Sequence, residues 1–296
     1  MRVATSGGDH LSAEAPAPAL GTQPEPGPPE TLRQLDLARV ALAETRTRLA
    51  DSERRAAREH DLALGLQCAI MPPGVRLMAA AGVDIAARCR PARPGLLVAG
   101  DWYDVLPLPG GDLLFVVGDI AGHGIEAVAG LVAVRNGLRG LAVTGAEPDE
   151  LLGQLNSAAC LFSEGVTGTV ICGRYSPRSQ LLRWARAGHL PLILARGDTA
   201  TVQPMPDGML LGVAPGERYQ QHTLRLYAGD TLLFYTDGLI ERRTASIGEA
   251  LVEFALTAVP VDANLNAHVD RILAGAASDT GDDACLLAVR IREPGR

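Results

Sequence analysis

Two apolar runs that each close on a Gly-Asp step, separated by one tight turn, constrain this chain more than any other stretch: LLVAGDWYDVLPLPGGDLLFVVGDIAGHG, residues 96–124. The Pro-Gly-Gly-Asp cluster is turn chemistry, and apolar runs on either side of such a cluster read as an antiparallel hairpin. With Gly110 and Gly111 as the two loop residues, position 101 faces 120 and position 119 faces 102. Asp101 and Asp119 are then cross-strand neighbours within one residue of register. Directly opposed side chains sit about 5 Å apart at Cβ, and like charges there destabilise the pair. Something must offset that repulsion.

The pattern beyond Pro73 is strand-rich. Alternating or continuous apolar runs bounded by turn residues cover 83–87, 96–106, 113–118, 169–175, 181–187, 192–195, 223–226, 231–235 and 284–291. Helical patterns cover 125–143, 149–162 with Pro148 in its first turn, 248–258 and 264–276. Consecutive strands joined by short turns pair antiparallel, and helices falling between strand groups indicate an α+β layered sandwich rather than a βαβ sheet. No internal repeat is visible.

Residues 1–29 are rich in Pro and Ala and hold few large apolar side chains, too few to offset the entropy of ordering, so a disordered leader is expected. From Glu30 to Met71 proline and glycine nearly vanish, which predicts one long helix closed by Pro72 and Pro73 and a main domain over 72–296. Leu35, Leu42, Leu49, Ala56 and Ala63 recur every seven residues, whereas the companion position reads Leu32, Arg39, Arg46, Glu53, His60. That is half of a coiled-coil seam. A homodimer through this helix and a solvated helix resting on the main domain are equal expectations.

The net charge is −7 and all 27 basic residues are arginines, with no basic block, so nucleic acid is a poor partner. No apolar run approaches the roughly 20 residues of a membrane helix, because Asp119, His123 and Glu126 interrupt the longest candidate, and no signal-peptide segment opens the chain. Cysteines 68, 89, 160, 172 and 285 are odd in number and lack CxxC spacing, which argues against a disulfide framework and a zinc site and for a reducing cytoplasm.

Four acidic clusters fall at strand ends: Asp101, Asp119, Asp237 in LLFYTDG, and Asp282 with Asp283 in GDDACLL. One Asp beside Gly is ordinarily a turn former. Four together point to carboxylates gathered on one rim of a sheet. Two carboxylates at close range repel by about 1 kcal/mol in water and about 4 at an effective dielectric of 20, so a cation is the natural remedy. Oxygen-only donors favour Mg or Mn over zinc.

The ordered motifs VAGDWYDV, VVGDIAGHG, ARAGHLP, LLGV, FYTDGLIERR and GDDACLL carry a family resemblance. From about Leu66 to Arg292 the chain resembles the metal-dependent protein phosphatases of type 2C. More narrowly, it resembles the bacterial branch typified by the stage II sporulation protein E phosphatase domain and the stress-response phosphatases of partner-switching pathways. The resemblance implies a central antiparallel β-sandwich flanked by helices in α/β/β/α layers. It also implies a phosphoserine/phosphothreonine protein phosphatase using two Mg2+ or Mn2+ ions, with a phosphorylated anti-sigma-factor antagonist as substrate. Carried over by motif, Asp119 bridges both ions, Asp101 and Asp237 complete the shell, and the Ile120 backbone carbonyl and Asp282 serve opposite metals, with Asp283 as the register alternative. A water shared by the two ions attacks phosphorus in line, without a phosphoenzyme.

His123, one short turn beyond Asp119, is the candidate acid for the leaving group, with a loop-anchoring histidine as the other reading. His189 in AGHLP reads as a buried histidine bonded to backbone, Trp102 and Tyr103 as packing residues, and Glu241 and Arg242 as a solvated helix start or loop edge rather than ligands. Two positions depart from the branch: Ala99 stands where a glycine is usual, and Thr244-Ala245-Ser246-Ile247-Gly248 replaces a stretch that is often acidic. A competing function on the same fold is a catalytically weak phosphoprotein-binding module; the intact aspartates favour the enzyme.

Overall fold

The computed structural model describes residues 30–70, 82–90, 100–122, 124–162, 165–240, 246–275 and 282–293. The 1–29 leader, Ala99, His123, Glu241, Arg242, Thr244 and Ala245 lie outside the described residues. The chain divides into two compact units with the boundary after Arg55. The described part of the first unit is helical: α1 runs Glu30–Ile70 and continues into the second unit. Leu35, Leu42 and Leu49 on it are exposed.

The second unit is built from β1 (Val83–Arg90), β2 (Asp101–Pro107), β3 (Leu113–Ile120), α2 (Gly124–Ala142), α3 (Pro148–Phe162), β4 (Gly168–Ser176), β5 (Leu181–Ala187), β6 (Ile193–Arg196), β7 (Thr199–Val202), β8 (Gln221–Arg225), β9 (Thr231–Tyr235), a 3₁₀ turn (Asp237–Leu239), α4 (Ile247–Thr257), α5 (Leu265–Gly275) and β10 (Ala284–Ile291). Two five-stranded sheets result, ordered β1-β10-β9-β6-β7 and β2-β3-β4-β5-β8. All their pairings are antiparallel.

Three apolar layers hold these sheets. Phe115, Val117, Trp184, Phe234 and Leu287 fill the space between them, with Phe115 and Phe234 rings 6.1 Å apart. Leu114 and Val116 point the other way, onto Leu131 and Leu138 of α2 and Leu155 of α3. Leu233, Tyr235 and Leu286 of the second sheet meet Phe254 of α4 and Val269 and Ile272 of α5. The layers are therefore α/β/β/α, as the resemblance implied. A strand buried on both faces shows a continuous apolar run instead of alternation, which is why β3 reads Leu-Leu-Phe-Val-Val. Burying each such side chain contributes about 1.5–3 kcal/mol. Ser246 and Glu249 form a reciprocal capping box that starts α4.

Three expectations are corrected. The β2–β3 loop takes Pro109, Gly110 and Gly111: Leu108 N–H donates to Asp112 O and Gly111 N–H to Leu108 O. Both glycines have positive φ, 90° and 91°, and the longer loop lets Leu108 stay buried. The added loop residue moves the register by one, and Asp101 now directly opposes Asp119. The strand β7 was not expected. It is a short, partly exposed edge strand, paired to β6 through a Gly197-Asp198 turn that is itself a hairpin signal. Third, Cys89 and Cys285 form a disulfide. The β1–β10 register sets them opposite each other although they are 196 residues apart in sequence, a pairing that short-range spacing cannot reveal. No helix among the described residues is long and apolar enough to cross a membrane.

Candidate functional site

Four chain segments bring five aspartates to one end of the sandwich. Asp101 is the first residue of β2 and faces Asp119, near the end of β3. Asp237 follows β9 and opens the 3₁₀ turn, while Asp282 and Asp283 immediately precede β10, the strand paired with β9. Asp101 is buried and Asp119 is half-buried. The Asp283 N–H donates to Asp282 Oδ1 at 2.8 Å, which ties the last two together.

Charge couples these groups across the segments. Burial, and then the negative charge of Asp119, push the Asp101 carboxyl well above its ordinary range; Asp237 and Asp283 push the same way and a Thr236 hydrogen bond opposes them. Asp119 is raised to about 6, first by burial and then by Asp237, Asp282 and Asp283, against a hydrogen bond with Asp101. The charges that raise Asp119 are thus carboxylates. The cross-strand repulsion inferred from the hairpin is present, and it extends to a second sheet.

Glycines permit the close approach of these segments. A Cβ at Gly100 would sit 2.1 Å from the Ile120 carbonyl oxygen and 2.8 Å from Asp119 Oδ1. At Gly238 it would meet the Asp283 carbonyl oxygen at 1.8 Å, and at Gly168 the Asp119 carbonyl oxygen at 2.5 Å. Gly100 and Gly238, which adjoin Asp101 and Asp237, are therefore explained by backbone proximity around the aspartates, whereas a Cβ at Gly118 would meet the Trp102 indole. Ala99, which stands where a glycine is usual, lies outside the described residues; Gly100 is a described position where a side chain would collide.

A ring of neutral groups stands behind the aspartates. The Thr236 hydroxyl donates to Asp101 Oδ2 at 2.7 Å. Thr169 lies opposite Asp119 on β4, and its hydroxyl is 2.7 Å from His189 Nδ1. His189 Nε2 is 3.0 Å from the Tyr235 carbonyl oxygen, which can only accept, so Nε2 carries the proton and Nδ1 accepts from Thr169. Burial lowers the His189 imidazole to about 4, so it is neutral. His189 is the buried, backbone-bonded histidine that the sequence suggested. Trp102 packs in the core under α2 and α3, and Tyr103 is partly buried against the inter-sheet layer. Thr236 and Thr169 were missed, because a threonine at a strand end has no signal beyond ordinary β preference.

Among the described residues, no three Asp, Glu, His or Cys side chains are gathered tightly enough to enclose an ion, so the aspartates form an open rim. Their chemistry fits a hard divalent cation all the same. The donors are oxygens, their shared repulsion is what a cation relieves, and the absent side chain at Gly100 leaves Ile120 O and Asp119 Oδ1 clear.

Comparison with known proteins follows the same outline. Phosphoserine phosphatase RsbU of Bacillus subtilis (strain 168) is 24% identical over 193 residues, covering 63% of this chain and 54% of that relative. The chain thus spans about half the length of the curated relative it matches. The crystal structure of RsbU and RsbW domains from a Mycobacterium tuberculosis protein matches with a TM-score of 0.63 and 30% identity, over 73% of this chain and 63% of that one. The PP2C phosphatase domain of SpoIIE from Bacillus subtilis, with a fragment of its regulatory domain, matches at 0.63 and 19% identity, over 72% and 64%. The same fold occurs in the catalytic domain of the serine/threonine protein phosphatase PstP, solved with two manganese ions, at 0.53 and 17% identity over 71% and 99%. The family model described as Stage II sporulation protein E (SpoIIE) matches residues 109–292. That match accounts for well over half of the chain, from the β2–β3 loop through β10, and the chain belongs to the Stage II sporulation protein E family.

Proposed function

We propose that this chain is a Mg2+- or Mn2+-dependent phosphoserine/phosphothreonine protein phosphatase. The observation that carries the reading is the pair Asp101 and Asp119, set directly opposite each other and both raised by burial and by the negative charge of further aspartates. Asp119 would hold two ions, Asp101, Asp237 and Asp282 would complete the set with the Ile120 carbonyl, and Asp283 would replace Asp282 if the register shifts. Ions bound there would acidify a water for attack on phosphorus and polarise the phosphoryl oxygens. His123 would protonate the departing serine or threonine oxygen.

Residues 72–296 form the phosphatase domain in this reading, and the helix over 30–71 is its regulatory or linker element, able to pair with a second copy through Leu35, Leu42 and Leu49. The substrate would be a phosphorylated anti-sigma-factor antagonist of a partner-switching pathway, in keeping with the RsbU and RsbW domains of the neighbouring structure. Its setting would be the cytoplasm. The Cys89–Cys285 bond weighs against a reducing compartment, so alkylation of protein drawn directly from cells should find both as thiols if the location is right.

The test is hydrolysis of a small aryl phosphate and a phosphoserine peptide with and without Mn2+ or Mg2+, using Asp119→Asn and Asp237→Asn as controls. Metal-dependent turnover lost in both variants is expected. Absence of metal-dependent turnover in the folded wild type would shift the function to phosphoprotein binding. Deletion of residues 1–64 should change turnover or oligomeric state; if both stay as they were, the helix is not regulatory.

A further inference from the structure

The geometry points to Thr236 as a positioning residue that fixes the orientation of Asp101 and locks the start of β2 to the ends of β9 and β10. The inference rests on the reading of the aspartate rim as a metal site.

Thr236 is fully buried and sits between β9 and Asp237. Its hydroxyl oxygen accepts the Cys285 N–H at 2.8 Å. Its proton is then left with two acceptors, Asp101 Oδ2 at 2.7 Å and the Cys285 carbonyl oxygen at 3.5 Å. That carbonyl already receives the Thr236 N–H at 3.1 Å. The bond to Asp101, shorter by 0.8 Å and made to an oxygen not already taken by the Thr236 N–H, wins. One carboxylate oxygen of Asp101 is thereby committed, and Oδ1 is the oxygen left for the rim.

A single hydroxyl so reaches three of the segments that carry aspartates. It holds Asp101 through its proton, it adjoins Asp237 in the chain, and it clasps Cys285, two residues beyond Asp283. Valine has nearly the same shape but can neither donate to Asp101 nor accept from Cys285. Groups that orient metal ligands typically change metal affinity by about 10–100-fold when removed.

The test is calorimetric titration of the full chain with Mn2+, free of any activity readout, with thermal unfolding of the metal-free proteins as the check on folding. Thr236→Val is expected to weaken Mn2+ binding by about 10–100-fold, while Thr236→Ser, which keeps the hydroxyl, stays within about threefold. In an Asp101→Asn background the same Thr236→Val change should cost less than about twofold, because the carboxylate it positions is gone. A purely structural threonine would cost the same in both backgrounds. If Thr236→Val is too unstable to titrate, Thr236→Ala provides the hydroxyl-free arm. Equal Mn2+ affinity in wild type and hydroxyl-free variants overturns the inference, as does a Thr236→Ser loss as large as that of Thr236→Val. A folded wild type that binds no Mn2+ overturns the metal reading itself, which is a separate outcome.

Discussion

Asp101 and Asp104 lie three residues apart on one strand, both buried, and they live in opposite electrostatic worlds. Asp104 turns towards α2, where Arg135 Nε lies 3.0 Å and Arg139 Nε 2.6 Å from its Oδ2. It also accepts the Val105 N–H. Asp101 faces other aspartates. A buried carboxylate needs cationic or hydrogen-bonding partners, and the protein provides them for Asp104 from its own helix. For Asp101 it provides one threonine and further carboxylates, which add to burial in raising its pKa; in the proposed function a bound cation supplies the counter-charge. Asp104 is held by arginines of the fold itself; Asp101, in the proposed function, is kept for a metal ion.

The comparison predicts opposite signs for similar substitutions. Asp119→Asn in the rim should lower phosphatase turnover on the order of ten-thousandfold, about 5.5 kcal/mol of barrier, while raising the thermal midpoint of the metal-free protein by relieving repulsion. Steady-state kinetics and metal-free melts measure the two halves. Asp104→Asn should instead destabilise by about 3 to 5 kcal/mol in denaturant unfolding, because Arg135 is left charged and buried without its counter-ion. If both substitutions destabilise the metal-free chain equally, the contrast between the two aspartates is wrong.

A third variant separates proton transfer from metal chemistry. His123→Ala should lower turnover of a phosphoserine peptide about 100-fold and leave an aryl phosphate with an acidic leaving group almost unaffected, since such a group departs without a proton. Equal losses on both substrates would remove His123 from the acid role.

The smallest effect is a pH dependence. Asp119 is raised to about 6 in the folded chain from an ordinary 3.8, so the folded state holds a proton that the unfolded state has lost between those values. Its contribution to metal-free stability is full below about 4 and is lost as pH rises through about 6. Subtracting the pH profile of Asp119→Asn from that of wild type isolates this loss. The stabilisation gained on adding Mn2+ should grow over the same window, because carboxylates bind metal when deprotonated.

Much of this contrast was legible in the sequence, and its limits are physical. An aspartate beside glycine at the close of an apolar run marked Asp101, Asp119 and Asp237, because turn chemistry and charge at a strand end leave a local signature. Direct opposition of the first two was out of reach, since it depends on whether a loop takes two residues or three. The Asp104 cluster did have a signal: an Asp amid apolar strand residues, and arginines at 135 and 139, four apart on one helix face. Thr236 and the Cys89–Cys285 pair had none. Each acts through a partner on a distant strand: the β1–β10 register brings the cysteines together, and Thr236 reaches Asp101 from one sheet to the other.

In the proposed function, the aspartate rim takes its counter-charge from bound metal. Calorimetric titration of the metal-free chain with Mn2+ should find two ions bound per wild-type chain and loss of that binding in Asp119→Asn. A folded wild type that takes up no Mn2+, or an Asp119→Asn variant that binds it as wild type does, would mean that the rim is not a metal site.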